Sequence, residues 1–251
     1  MNDFEGGSEF VPGSAPHITQ GPDLAGLAEA SAPYLFGTLQ HRLIRTEERS
    51  SSMFGSGGKV FLRTIDGFDD VVGEPLGSGL IYNHSGGSYQ LAFALSLAPN
   101  PAVGELVQDR SLEAGDIVAQ LRALNVLEGL RIIDLGSGVH PGFALAAKSL
   151  GATVFTADIQ KLRPEVKGKL DGHTVVNLNR SNAGEVLEEA TCGDLDLVTE
   201  NVVAMPPGLI TTSKVPKQKS VQAIATRLLK QDGYMFSLTG ASGFGVFQRV
   251  N

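Results

Sequence analysis

The sequence predicts an α/β fold, a mostly parallel sheet flanked by helices, and three observations carry that expectation. From about residue 111 to 240, short apolar runs suited to strands covered on both faces alternate with longer segments of helical spacing. One run, Leu130-Arg131-Ile132-Ile133-Asp134-Leu135, leads straight into the turn Gly136-Ser137-Gly138-Val139-His140-Pro141-Gly142, after which Ala144, Ala146, Ala147 and Leu150 continue as a helix. The next run, Gly151 to Asp158, ends on an acid. Strand, tight turn, helix and acid-ended strand open a Rossmann-like βαβ unit, whose ligand lies at the carboxyl ends of the strands.

Taken in order, residues 1 to about 21 are rich in Gly, Ser and Pro and read as a loosely draped arm. Between Pro22 and Arg49 the spacing of Leu24, Leu27, Leu35, Leu39, Leu43 and Ile44 predicts two helices broken near Pro33. Gly55 to Gly58 is a turn, Val60 to Leu62 a strand, and the Asp and Gly punctuation from Asp66 to Pro75 a hairpin or irregular cap. Tyr89 to Leu97 reads as a mostly buried helix and Ser111 to Leu124 as the helix that leads into the sheet. Beyond Asp158 come a strand at His173 to Leu178, a helix at Ala183 to Ala190 and a strand at Leu195 to Thr199. A helix at Val215 to Lys230, a turn at Asp232-Gly233 and a strand at Tyr234 to Leu238 follow. What remains, Gly245 to Val250, has room for one edge strand, so the sheet either has a shortened C-terminal edge or is completed by an N-terminal strand. The expected organisation is an N-terminal arm and helical/hairpin cap over 1–104, serving substrate, lid or dimer contacts, and a Rossmann-like domain over 105–251.

Composition excludes several function classes. A chain of 251 residues buries a sizeable core, and its one cysteine, Cys192, leaves no disulfide framework and no multi-cysteine metal site. Five scattered histidines show no metal-ligand spacing, so no metal is expected. There is no apolar run near the ~20 residues that span a bilayer and no basic-then-apolar leader, which implies no membrane association and a cytoplasmic setting. A net charge of −7 argues against binding extended nucleic acid. Lys161, Arg163, Lys167 and Lys169 read as solvated surface.

The glycine turn and the acids locate the chemistry. Gly136 and Gly138 let the backbone approach a ligand where a Cβ would clash. Asp158 follows Asp134 by 24 positions, near the ~20-residue spacing at which a carboxylate accepts hydrogen bonds from ribose hydroxyls in dinucleotide enzymes and S-adenosylmethionine (SAM) enzymes alike. A dinucleotide loop carries no acid beside its pyrophosphate, whereas SAM presents a sulfonium and an ammonium that favour one. On Asp134, Gly136 and Gly138 the chain resembles the class I SAM-dependent methyltransferases, whose first motif is an acid, any residue, then Gly-x-Gly. His140 stands where that family often has glycine.

The resemblance implies SAM as cofactor, bound by Asp134, Gly136, Ser137, Gly138, His140, Asp158, Ile159 and, for adenine, Asn179 or its neighbour Asn177. It also implies that Asp158→Ala weakens SAM binding while leaving the fold intact. For catalysis it points to the end of the fourth strand of the alternating region, at Glu200. The polar, glycine-rich stretch from Tyr82 to Tyr89 suits a lid, which makes His84 and Tyr89 candidates for proton removal or substrate contact. The expected activity is methyl transfer to a small-molecule acceptor. An RNA or protein methyltransferase and a non-catalytic nucleotide-metabolite-binding relative are the alternatives. A homodimer is compatible with the apolar cap.

Overall fold

The computed structural model describes residues 26–51, 58–77, 85–200, 218–239 and 243–250; the N-terminal arm, His84 and Asn201 to Pro216 lie outside them. Its centre is a seven-stranded sheet. The strands of the glycine-loop region are β4 (Arg131–Leu135), β5 (Thr153–Asp158), β6 (Gly172–Val175), β7 (Leu195–Glu200) and β8 (Leu229–Thr239). They pair in parallel in the order β8-β7-β4-β5-β6, so β4 is central, and Ile132 and Ile133 are sealed on opposite faces.

Two layers of helices cover this sheet. On one face α1 (Leu35–Leu43), α3 (Ser85–Ser96), α5 (Ala114–Ala123) and α6 (Gly142–Ser149) bury Ile132, Val154, Leu197 and Phe236. On the other, α7 (Ala183–Thr191) and α8 (Gln218–Leu228) bury Ile133, Leu135, Ala157, Val198 and Met235. Alanines let α6 lie close to the sheet: Ala144, Ala146 and Ala147 are wholly buried, with Pro141 at the helix N-cap. After α6 the chain reverses at Gly151, whose φ of +96° and whose neighbours, Asn125 Cβ at 3.0 Å and its carbonyl oxygen at 3.1 Å from any added Cβ, admit only glycine.

The far edge of the sheet is built from both ends of the chain. The segment expected to form an edge strand does so as β9 (Gly243–Arg249), antiparallel to β8. The segment expected to hold the first of two helices instead forms β1 (Leu27–Glu29), which pairs antiparallel with β9, Leu27 opposite Arg249. Two forces override the helical spacing here. Leu27 is buried against the α8 layer, and β1 satisfies backbone groups that β9 would otherwise leave open.

The cap departs from expectation in detail. Arg45 to Ser51 form a strand, β2, rather than the end of a helix; it pairs antiparallel with β3 (Gly58–Thr64) in a separate two-stranded sheet. A short α2 (Asp69–Val72) and an unforeseen α4 (Ala102–Gln108) complete the cap, and the 104/105 boundary falls inside α4. One core runs across that boundary, since Phe36 and Phe93 pack with Phe236, the Phe93 and Phe236 rings stacking at 4.8 Å. The predicted turn at Asp232-Gly233 lies within β8. Asp232 takes a φ of +61°, and the β7–β8 register slips between Leu195 and Leu197.

Candidate functional site

The glycine loop hangs from β5 by its own amides. Gly136 and Ser137 donate their N–H groups to the carbonyl of Ala157, at 2.8 and 3.4 Å. Gly138 donates to Asp158 Oδ2 at 2.9 Å, and Gln160 donates to Asp158 Oδ1 at 2.8 Å. Asp158 therefore braces the loop with both oxygens. Gly136 and Gly138 have φ of +72° and +71°, the left-handed turn that glycine permits. The third glycine serves the cap. A Cβ on Gly142 would meet Val72 Cγ1 at 3.3 Å and Leu76 Cδ1 at 3.4 Å, so its absence lets the segment after α2 pack on the start of α6. Leu76 also closes on Gly87 of α3, where a Cβ would meet its Cδ1 at 3.2 Å.

Between that segment, α3 and the loop lies a cavity of about 100 Å³, lined in part by Glu74, Leu76, Gln90, Asp134, Ser137, His140 and Gly142. Asp134, next to last in β4, lines it and is 2% exposed. Its Oδ1 accepts hydrogen bonds from Thr199 Oγ1 at 2.9 Å and Gln90 Nε2 at 3.1 Å. Burial pushes the Asp134 carboxyl up to about 7; those two hydrogen bonds pull it down and the Asp158 charge pushes it further up. Two buried polar atoms here have no hydrogen-bond partner among the described residues, Gln90 Oε1 and Ser137 Oγ. Neither Gln90 nor Thr199 was marked by the sequence reading. For Gln90 the available signal was a polar side chain directly before the apolar run Leu91 to Leu95.

The structure thus brings Asp134, Ser137 and His140 together around one cavity and ties Asp158 to the same loop through Gly138. Ile159 follows on the surface, 49% exposed, and the similarly exposed Val175 at the end of β6 pairs with Asp158. Asn179 donates its backbone N–H to Asn177 Oδ1 at 3.0 Å, so Asn177 shapes a turn. The catalytic candidates stand apart. Tyr89 is half-buried on α3, its ring against Phe244 at 6.1 Å and under the Arg63 guanidinium at 5.7 Å, and does not line the cavity. Burial raises its phenol above the ordinary value. Glu200, buried at the end of β7, accepts a hydrogen bond from Ser237 Oγ at 2.7 Å, and its carboxyl is raised by desolvation. By strand alternation it faces the α7/α8 side, opposite Thr199 and Asp134. His84 lies outside the described residues. Among the described residues no cluster of His, Cys, Asp and Glu could hold a metal ion, and no helix is long and apolar enough to cross a membrane.

No protein-family model matches this chain, and no curated protein matches it. The solved structures that match are mostly methyltransferases, all at low identity. The T. thermophilus 16S rRNA N2 G1207 methyltransferase, solved with AdoMet and guanosine, is 14% identical over 83% of this chain and 51% of its own, with a TM-score of 0.40. MycE methyltransferase of the mycinamycin biosynthetic pathway, solved with Mg, SAH and mycinamycin VI, is 14% identical over 73% of this chain and 51% of its own, with a TM-score of 0.34. Coclaurine N-methyltransferase, bound to N-methylheliamine and SAH, is 13% identical over 51% of this chain and 38% of its own, with a TM-score of 0.30. The match spans about half or less of each of these proteins, and at such TM-scores none of them carries a function across to this chain.

Proposed function

We propose that this protein is a SAM-dependent methyltransferase acting on a small molecule. The observation that carries the reading is the spent state of the glycine loop. A pyrophosphate site needs free backbone amides and no nearby negative charge. Here the Gly136, Ser137 and Gly138 amides are already bonded within the protein, and Asp134 and Glu74 both line the cavity. That donor set suits a cationic ligand rather than a dinucleotide. Among the described residues, buried polar atoms left open at Gln90 and Ser137, and a Gly138 with nothing within 4 Å of an added Cβ, fit a ligand lying over the loop.

In this reading Asp134 and Ser137 hold the methionine end of SAM, Asp158 uses its remaining lone pairs for the ribose, and Ile159 and Asn179 flank the adenine. When bound, SAM supplies a methyl group already activated by its sulfonium. The chain's task is then to align the acceptor and receive its proton. Tyr89, whose phenol stays protonated at neutral pH, is proposed as an acceptor contact. A small acceptor is favoured over RNA by the net charge of −7 and by the two acids in the cavity wall.

The test is isothermal titration with SAM, S-adenosylhomocysteine (SAH), NAD and NADP. Micromolar binding of SAM and SAH alone is the expected result. Binding of NAD or NADP in their place would sink the proposal.

A further inference from the structure

The polar groups around the cavity do not balance among themselves. Gln90 is supplied by the cap helix α3 and is wholly buried; its Nε2 donates to Asp134, and its Oε1 meets no donor among the described residues. The residues that follow it, Leu91 to Leu95, are all apolar and buried, so packing alone would be served by leucine or methionine at this position. A buried amide carbonyl without a donor is costly, and such a group in a native protein asks for an explanation. Ser137 Oγ, from the glycine loop, is the second atom here without a partner among the described residues, in a residue 8% exposed. Both residues line the same cavity as Asp134.

The unfilled valences define their complement. A carboxylate and an amide carbonyl only accept hydrogen bonds, and a hydroxyl can accept as well. The group that satisfies all three in so small a space carries several N–H donors and positive charge, which describes a primary ammonium with its three donors. An anion is disfavoured there, and a guanidinium would need more room for its planar fork.

We propose that Gln90 is a ligand-binding residue contributed by the cap: its Oε1 accepts a hydrogen bond from a primary ammonium of the bound ligand, while its Nε2 holds Asp134 in position to accept another. The proposal rests on the methyltransferase reading in taking that ammonium to be the one carried by SAM and SAH. It has a consequence for the cap. Asp134 stands on β4 and Gln90 on α3, so one ammonium is shared between the sheet and the cap, and occupancy ties the two together.

The experiment compares calorimetric affinities of wild-type protein, Gln90→Met and Gln90→Leu for SAH and for the deaminated analogue S-(5′-deoxyadenosyl)-4-thiobutyrate, which lacks only the ammonium. Methionine keeps the length of glutamine without its polar atoms, which guards against a packing defect. Both variants are expected to weaken SAH by about tenfold or more, the effect of losing a hydrogen bond to a charged group, and to leave the analogue within about twofold. Hydrogen exchange on α3 should slow with SAH in wild type and much less with the analogue. Equal losses for both ligands would mean that Gln90 only supports the fold and would overturn the proposal, as would undiminished SAH affinity in both variants. If wild-type protein binds neither ligand, the methyltransferase reading falls and this inference with it; binding with equal losses removes this inference alone.

Discussion

Asp158 gives both carboxylate oxygens to backbone amides, those of Gly138 and Gln160, and so fixes the loop whatever ligand lies above it. The expectation that Asp158→Ala spares the fold therefore changes. Alanine leaves two amides without their acceptors and should cost about 1–3 kcal/mol in urea denaturation, with Asp158→Asn, which keeps one acceptor oxygen, losing less. A wild-type midpoint for Asp158→Ala would refute the bracing role. Asp134 behaves in the opposite sense. Its folded pKa of about 7 lies above the ordinary carboxylate value, so the folded state holds the extra proton in the window between. Stability from this group is full below about pH 4 and is lost as pH rises through about 7. Asp134→Asn should flatten that slope and be more stable than wild type by on the order of 4 kcal/mol at pH 8, with the difference shrinking toward pH 5. Ligand affinity should move the other way in wild type. If an ammonium binds the ionised carboxylate, SAH binding strengthens on the order of tenfold between pH 5.5 and 8, with Glu74, His140 and Asp158 the other titratable groups around the site. A pH-independent affinity would remove Asp134 from the contact. Asp134, Ser137, His140 and Asp158 were legible because they lie in or beside one contiguous turn. Gln90 and Thr199 reach Asp134 from 44 and 65 positions away, and no local pattern announces such a pairing.

The strands from β4 to β8 were legible for a related reason: each is a short apolar run between turn residues, and a central parallel strand needs little else. β1 was not. Three residues carry no period, and the leucines around them match a helix equally well; what makes Leu27–Glu29 a strand is the open edge of β9 at the other end of the chain. The same reasoning explains why the β8 turn signal was sound in chemistry and wrong in consequence, since Asp232 takes its positive φ inside a strand that slips register and continues. The importance of β1 can be measured. Leu27 is 1% exposed and belongs to the core beneath α8, so Leu27→Ala should cost about 2–4 kcal/mol, as for other buried leucines. If β1 were a loosely attached edge, the denaturation midpoint would stay within about 0.5 kcal/mol of wild type, the range of surface substitutions.

At the scale of the molecule, cap and sheet share one interior. Phe36 and Phe93 from the cap enclose Phe236 of β8, Phe244 of β9 stacks on Phe236 at 5.3 Å, and β1 seals the sheet edge. Arg122 of α5 clamps the cap as well, donating to both carboxylate oxygens of Asp70 and to the carbonyl of Gly67. A fragment of residues 105–251 keeps every strand of the parallel sheet and the whole glycine loop, yet loses α1 and α3 from the roof over Ile132, Val154, Leu197 and Phe236 and the strand that covers β9. Buried apolar area is the main favourable term in folding, and a half-stripped face together with an open edge leaves too little of it to offset chain entropy. The fragment should therefore show no cooperative thermal transition by circular dichroism, and the intact chain a single one. Urea curves of the intact chain followed by far-ultraviolet dichroism and by tyrosine emission should coincide, because Tyr89 in the cap and Tyr234 on β8 report on the same core. A sigmoidal melt from the fragment alone, or two separated urea transitions, would show instead that the glycine-loop sheet folds by itself. The cap would then be a detachable cover, and Gln90 would reach Asp134 only when that cover docks.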